Sequence, residues 1–313
     1  MSQRNRRAGA PRALLGAAIA CALLTGSCTR GSSATGGAAV LGDDAITVGS
    51  FDFPESELLA EIYAQALTRA GFSVLRDFDL GPRELVLPAM QRGLVELVPE
   101  YQGSALEFLG GVPSAEASAT QTALLAALAA RSLRGLPPAP AQDQNAFVVT
   151  DQTARRLHLL DLSDLATTGG TLRLGGPEEC ADRPLCMRGL EDVYGIRFAG
   201  FVPLDTGGPL TVQALRQGFV DVGLLFTSSA ALEGGDLVEL RDDRHLEPAE
   251  HIVPVIRPEV LQRFGTGVAE ALAAVTAPLT TADLRRLNAQ VQDGRSVADV
   301  AAAWVAAHPT GSG

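Results

Sequence analysis

The sequence predicts an α/β protein made of two lobes of like architecture, and three observations carry that reading. Short β-branched runs alternate with stretches of helical periodicity, the pattern of strand–helix units around a largely parallel sheet. Two segments 125 residues apart repeat one another, Ala89-Met90-Gln91-Arg92-Gly93-Leu94-Val95-Glu96 and Ala214-Leu215-Arg216-Gln217-Gly218-Phe219-Val220-Asp221. Each reads as a helix, a glycine stop and a strand that opens on an acid. The 313 residues, 46% of them hydrophobic, also suffice for two domains of roughly 100–150 residues each.

The elements follow in order. Arg4, Arg6, Arg7 and Arg12 precede an uninterrupted small and apolar run from Ala13 to Leu24. That run is as long as a signal-peptide core and too short to span a bilayer, which takes about 20 residues. Leu24-Thr25-Gly26-Ser27-Cys28 resembles a bacterial lipobox, with Thr25 where the usual Leu stands. The resemblance implies that residues 1–27 are removed and that Cys28 is lipidated; plain secretion or cleavage at Cys21 are the alternatives. The stretch 28–42, rich in Gly, Ser and Ala, reads as a flexible tether.

Ile46-Thr47-Val48 is a strand ending at Gly49, and Glu55–Ala70 has helical spacing with Gly71 as its stop. Val74–Phe78 reads as a strand, Pro82–Arg92 as a helix, Val95–Val98 as a strand and Ala115–Leu133 as a helix. Three prolines between Gly135 and Pro140 mark a break, Phe147–Thr150 opens a second α/β stretch, and Gly265–Ala307 is mostly helical. Cys180 and Cys186, flanked by Pro177 and Pro184, read as a loop-closing disulfide in an oxidising compartment; neither a second Cys pair nor a nearby His completes a zinc site.

The same offset sets Tyr101 opposite Phe226, Ser104 opposite Ser229 and Ile46-Thr47-Val48 opposite Thr171-Leu172-Arg173. Ligands of open α/β sheets bind beyond the carboxyl ends of strands. Two facing lobes would put both rings into one cleft; burial of both rings in the core is the plainer alternative. Gly208-Pro209-Leu210-Thr211 reads as a helix start whose first turn faces that cleft, which makes Thr211 a candidate ligand contact. The balance of 25 basic against 36 acidic residues excludes a nucleic-acid binder. No H-E-x-x-H, P-loop or nucleophile-elbow motif stands in a suitable context. His245 and His251 are too far apart for one helix face, and Pro248 interrupts them, so they read as polar residues near a hinge rather than metal ligands. Catalysis, cofactor and metal are accordingly not expected.

Five stretches together resemble one family: Ile46-Thr47-Val48-Gly49-Ser50 with Glu55 and Glu61–Gln65; Pro99-Glu100-Tyr101-Gln102-Gly103-Ser104; Asp143-Gln144-Asn145-Ala146-Phe147; Gly208–Thr211; and Pro248–Pro254. These are similar to the substrate-binding lipoproteins of ABC importers for glycine betaine, carnitine and choline. The resemblance implies a two-lobed, type II periplasmic-binding-protein-like fold with two crossings, near Ala141–Phe147 and Glu247–Val255. Lobe one is then 43–143 plus 252–313 and lobe two 144–251. It implies a monomer at the extracytoplasmic face of the membrane, held by its lipid and partnered by a permease. A sensory or scaffolding lipoprotein on the same fold is the second reading.

Such ligands are quaternary ammonium ions, which lack N–H donors and are attracted to aromatic faces. By resemblance, Tyr101 matches a cage tyrosine, Ser104 a neighbouring hydroxyl, Asp143 an acid at the first crossing and Arg183 an arginine for a ligand carboxylate. Where relatives carry further cage tyrosines, this chain has Asn145, Phe226 and Glu250, and Phe51 stands where some carry a basic residue. Fewer rings and more carboxylates favour a cation such as choline over betaine. A solvated acid at Glu250, a salt bridge at Arg183 and a turn cap at Asp143 are the plainer alternatives.

Overall fold

The computed structural model describes residues 44–309. The leader, Cys28 and the tether lie outside them. Among the described residues ten strands run in chain order: β1 Ala45–Gly49, β2 Ser73–Asp77, β3 Leu97–Tyr101, β4 Arg134–Gly135, β5 Asn145–Thr150, β6 Arg173–Gly176, β7 Gly200–Pro203, β8 Val222–Phe226, β9 Leu237–Glu239 and β10 Ile252–Ile256. They form two five-stranded sheets, ordered β2-β1-β3-β10-β4 and β7-β6-β8-β5-β9. Neither sheet is largely parallel, contrary to the sequence reading. β1 is parallel to β2 and β3, whereas β10 is antiparallel to β3 and β4; β6 is parallel to β7 and β8, whereas β5 is antiparallel to β8 and β9. The antiparallel strand in each sheet is the one entering from the other half of the molecule, so it runs against the local direction. Alternation in sequence does not reveal that reversal.

Helix Pro54–Arg69 shows how the sequence makes an element. Proline opens it, Glu55 and Glu57 sit in its first turn, and it ends before Gly71 at φ +93°. Leu58, Leu59, Ile62, Tyr63 and Leu67 are buried against the first sheet's core. Each such side chain contributes about 1.5–3 kcal/mol by leaving water. In the second half, apolar clusters around Phe147 and Leu174 and around Val148 and Leu225 cover the two faces of the sheet.

β3 begins at Leu97, two residues later than the periodicity suggests, because Glu96 is spent on a clamp. Its backbone N–H donates to Thr47 O at 2.9 Å, and its carboxylate accepts the Thr47 N–H at 3.1 Å. Asp221 repeats the device: its N–H donates to Arg173 O and its carboxylate accepts the Arg173 N–H, both at 2.9 Å. Leu97 and Val222 thus correspond at the 125-residue offset, while Thr47 corresponds to Arg173, one residue beyond it.

The chain passes between the sheets twice, side by side. Gln142 and His251 form a bridge, the Asp143 N–H donates to Glu250 O at 3.0 Å, and Gln144 Nε2 donates to Pro248 O at 2.6 Å. A third connection is the helix Thr281–Gln292. Although it follows β10, its Arg285 donates to Thr227 O and pairs with Glu239 of the second half. Its Asn288 Nδ2 donates both to Glu55 Oε2 at 2.6 Å and to Ser228 O at 3.1 Å.

Candidate functional site

β3 and β8 end on Tyr101 and Phe226, and both residues line one cavity of about 810 Å³. Phe53, just before the helix proline, completes a trio of rings; it is 39% exposed and lies 5.8 Å from Tyr101, ring centre to ring centre. The Tyr101 hydroxyl donates to Glu55 Oε1 at 2.9 Å, which ties the tip of the ring to a carboxylate. Asp143, from the first crossing, accepts the Ser228 hydroxyl at 2.6 Å. An adjoining cavity of about 750 Å³ shares Arg83, Ser104, Asp143 and Phe226 with the first and reaches to Asn145, Glu247 and Glu250.

Acid dominates these walls. Burial raises the carboxyls of Glu55 and Glu250 above the ordinary range, against the hydrogen bonds each accepts. Burial raises Asp143 well above it, and the Glu55 charge adds to the effect. Burial likewise holds Glu247 up to about 8. The basic side chains lining either cavity among the described residues are Arg83 and Arg183. Arg83 is committed to Glu100, with Nε at 3.1 Å from both carboxylate oxygens and Nη2 at 2.9 Å from one. Arg183 is 3.3 Å from Glu179 at the exposed rim. Chemically, the arrangement can hold a cation between rings and carboxylates, and it offers an anion no unpaired arginine.

The sequence-derived candidates divide. Tyr101, Ser104, Asp143 and Phe226 line the ring cavity, and Ser104 donates to Glu250 Oε1 at 2.7 Å. Asn145, Arg183 and Glu250 line the adjoining one. Glu250 also accepts the Gly103 N–H at 2.9 Å, and a Cβ at Gly103 would sit 2.9 Å from its Oε1, so only glycine fits there. Cys180 and Cys186 form a disulfide on the same wall.

Two candidates stand elsewhere. Phe51 is 3% exposed, stacked beneath Phe53 at 6.0 Å with the Arg83 guanidinium on its ring; it belongs to the core and lines neither cavity. Thr211 is fully buried, and the amides of its helix start are already satisfied. Asp205 accepts the Leu210 and Thr211 N–H groups at 2.9 Å and the Thr211 hydroxyl at 2.7 Å. That carboxylate takes the place at the helix N-terminus where a ligand was expected. Sequence reasoning missed Phe53, Glu55, Ser228 and Asn288 as lining residues. Phe53 carried a signal, an aromatic immediately before a helix-opening proline in a chain that is 5% aromatic. Asn288 carried none, since its approach depends on how the C-terminal helix folds back. Among the described residues, no group of three or more His, Cys, Asp or Glu is arranged to hold a metal.

The chain as a whole has known relatives. Residues 44–307 match the model of the substrate-binding domain of ABC-type glycine betaine transport systems. A glycine-betaine-binding protein of Pseudomonas aeruginosa is 27% identical over 260 residues, covering 79% of this chain and 82% of its own. The glycine betaine-binding protein YehZ of Escherichia coli is 26% identical over 273 residues, covering 83% and 89%. Among solved structures, a glycine betaine/carnitine/choline ABC transporter protein superposes with a TM-score of 0.78 at 22% identity, covering 84% of this chain and 98% of its own. The apo form of YehZ gives 0.72 at 26%, with the same coverage.

Proposed function

The chain belongs to the family of substrate-binding domains of ABC-type glycine betaine transport systems, and from that premise we propose that it captures a small cation, a choline-like quaternary ammonium ion first among candidates, in the cavity of Tyr101 and Phe226. The observation that carries the reading is the pairing of three rings with buried acids and no unpaired base. A quaternary ammonium ion gains about 0.5–2 kcal/mol from each ring it meets. Its charge also relieves the repulsion between Glu55 and Asp143, letting both ionise. The carboxylate tail of a betaine finds Arg83 already bound to Glu100, and Arg183 stands at the exposed rim beside Glu179. The relatives named for glycine betaine and this chain therefore share an architecture but differ in preferred ligand.

In this reading residues 43–143 with 252–313, and 144–251, are lobes that close about the paired crossings and present the closed form to a permease. The receptor works as a monomer on the extracytoplasmic face, tethered through Cys28. A thermal-shift screen of the purified chain tests the ligand class. A ligand at one hundred times its Kd stabilises by about 2.7 kcal/mol. Choline and related quaternary amines are expected to raise Tm by several degrees, amino acids not at all. A screen in which only anionic or neutral solutes raise Tm contradicts the proposal.

A further inference from the structure

Glu247 is 4% exposed and stands in the wall between the 750 Å³ cavity and a smaller one of about 310 Å³. Its Oε2 accepts Asn145 Nδ2–H at 3.1 Å, and Asn145 is itself held by Leu185 O at 3.3 Å. Its backbone is pinned, since the Glu247 N–H donates to Asp242 Oδ2 at 2.8 Å. Yet Oε1 is buried and accepts no hydrogen bond. A buried acceptor left unpaired is costly, so natural proteins pair nearly all of them. The arginines on the cavity wall do not serve it, being paired with Glu100 and Glu179.

The cleft thus has two poles of different chemistry. At Phe53, Tyr101 and Phe226 it suits an ammonium group without N–H donors. At Glu247 it asks for a donor. Arg83, Ser104, Asp143 and Phe226 line both cavities, so the two poles belong to adjoining spaces.

We propose that Glu247 Oε1 is a second recognition point, which specifies a bifunctional cation: a quaternary ammonium head among the rings and an amine N–H donor at the other end. The inference rests on the reading of the ring cavity given above and adds the ligand's far end. Burial keeps the Glu247 carboxyl up to about 8, so a protonated amine arriving there displaces a proton and supplies the missing charge.

Two probes of matched length separate the poles: (3-aminopropyl)trimethylammonium, which carries the donor, and n-butyltrimethylammonium, which ends in a methyl group. Calorimetry on the full chain is expected to show the aminopropyl probe binding about tenfold tighter or better, as one charge-assisted hydrogen bond provides. Glu247→Gln, isosteric and able to keep its contact with Asn145, is expected to bring the two probes to within about threefold and leave the butyl probe's affinity unchanged. Tyr101→Ala is expected to weaken both. If the wild-type protein does not prefer the aminopropyl probe, the inference is wrong whatever the variant does. If the preference survives Glu247→Gln, it is also wrong. In both cases a loss with Tyr101→Ala keeps the ring cavity as the site. If Tyr101→Ala changes neither affinity, or neither probe binds, the ring cavity itself is refuted as the site and the inference falls with it.

Discussion

Tyr101 and Phe226 close corresponding strands of the two halves, yet they are held in different ways. Tyr101 is tied at its hydroxyl to Glu55 and at its backbone N–H to Glu100. The Phe226 ring carries no polar group, its carbonyl accepts the Ser229 N–H at 3.0 Å, and the ring is seated by Gly207, whose φ is +67° and where a Cβ would lie 2.8 Å from the ring. The far ends of the same strands show the opposite, since Glu96 and Asp221 make the same clamp with the same backbone atoms. Duplicated architecture brings the two strand ends to one cavity. The chemistry at each strand end is set separately by what the neighbouring loops bring.

The largest expected effect breaks that comparison at its ligand end. Tyr101→Ala removes a ring and strips Glu55 of a donor, for a combined cost of about 2–3 kcal/mol, or roughly 30–150-fold in choline affinity. Phe226→Ala removes a ring alone and is expected to cost about tenfold. Equal losses by calorimetry would erase the distinction. Next, Gly207→Ala is expected to weaken choline binding about tenfold by pushing the Phe226 ring aside. Gly218→Ala carries similar backbone strain, φ +71°, but meets nothing within 4 Å. It should lower stability by about 1–2 kcal/mol and leave affinity unchanged.

Acidity sharpens the contrast further. Glu55, Asp143, Glu247 and Glu250 all have folded-state values raised above their ordinary ones. These four groups therefore hold more protons in the folded ligand-free protein than in the unfolded chain. Their contribution to stability is present below the ordinary carboxyl range and is lost as pH rises towards about 8, the value of Glu247. Tm should fall over that interval while choline affinity climbs several-fold, because a cation favours the ionised carboxylates. The smallest effect belongs to the clamps. Glu96→Gln, whose carboxylate also pairs with Arg263 at 2.9 Å, should cost about 1–2 kcal/mol of stability, and the more exposed Asp221→Asn about 0.5–1. Neither should alter ligand affinity.

Much of this was legible in the sequence. Helix and strand periodicity located the elements, and the offset between Tyr101 and Phe226 named two of the three rings. What escaped was settled by direction and by distant packing. Phe51 and Phe53 are close neighbours, yet one ring enters the core and the other the cleft, a choice made by how the turn into the proline-led helix lies. Thr211 looked like a ligand contact because a helix start offers free amides, and nothing local says that Asp205 folds back to take them. Glu247 was visible only as one acid near two histidines; its burial and its unpaired oxygen arise from β5 and the second crossing packing together.

Selection of a cation over a zwitterion is tested by titrating the purified chain calorimetrically with choline and with glycine betaine, each in two buffers of different ionisation enthalpy. Choline is expected to bind at least about tenfold tighter and to release protons as the buried carboxyls ionise. Betaine binding as tightly as choline, with no proton released by either, would contradict it.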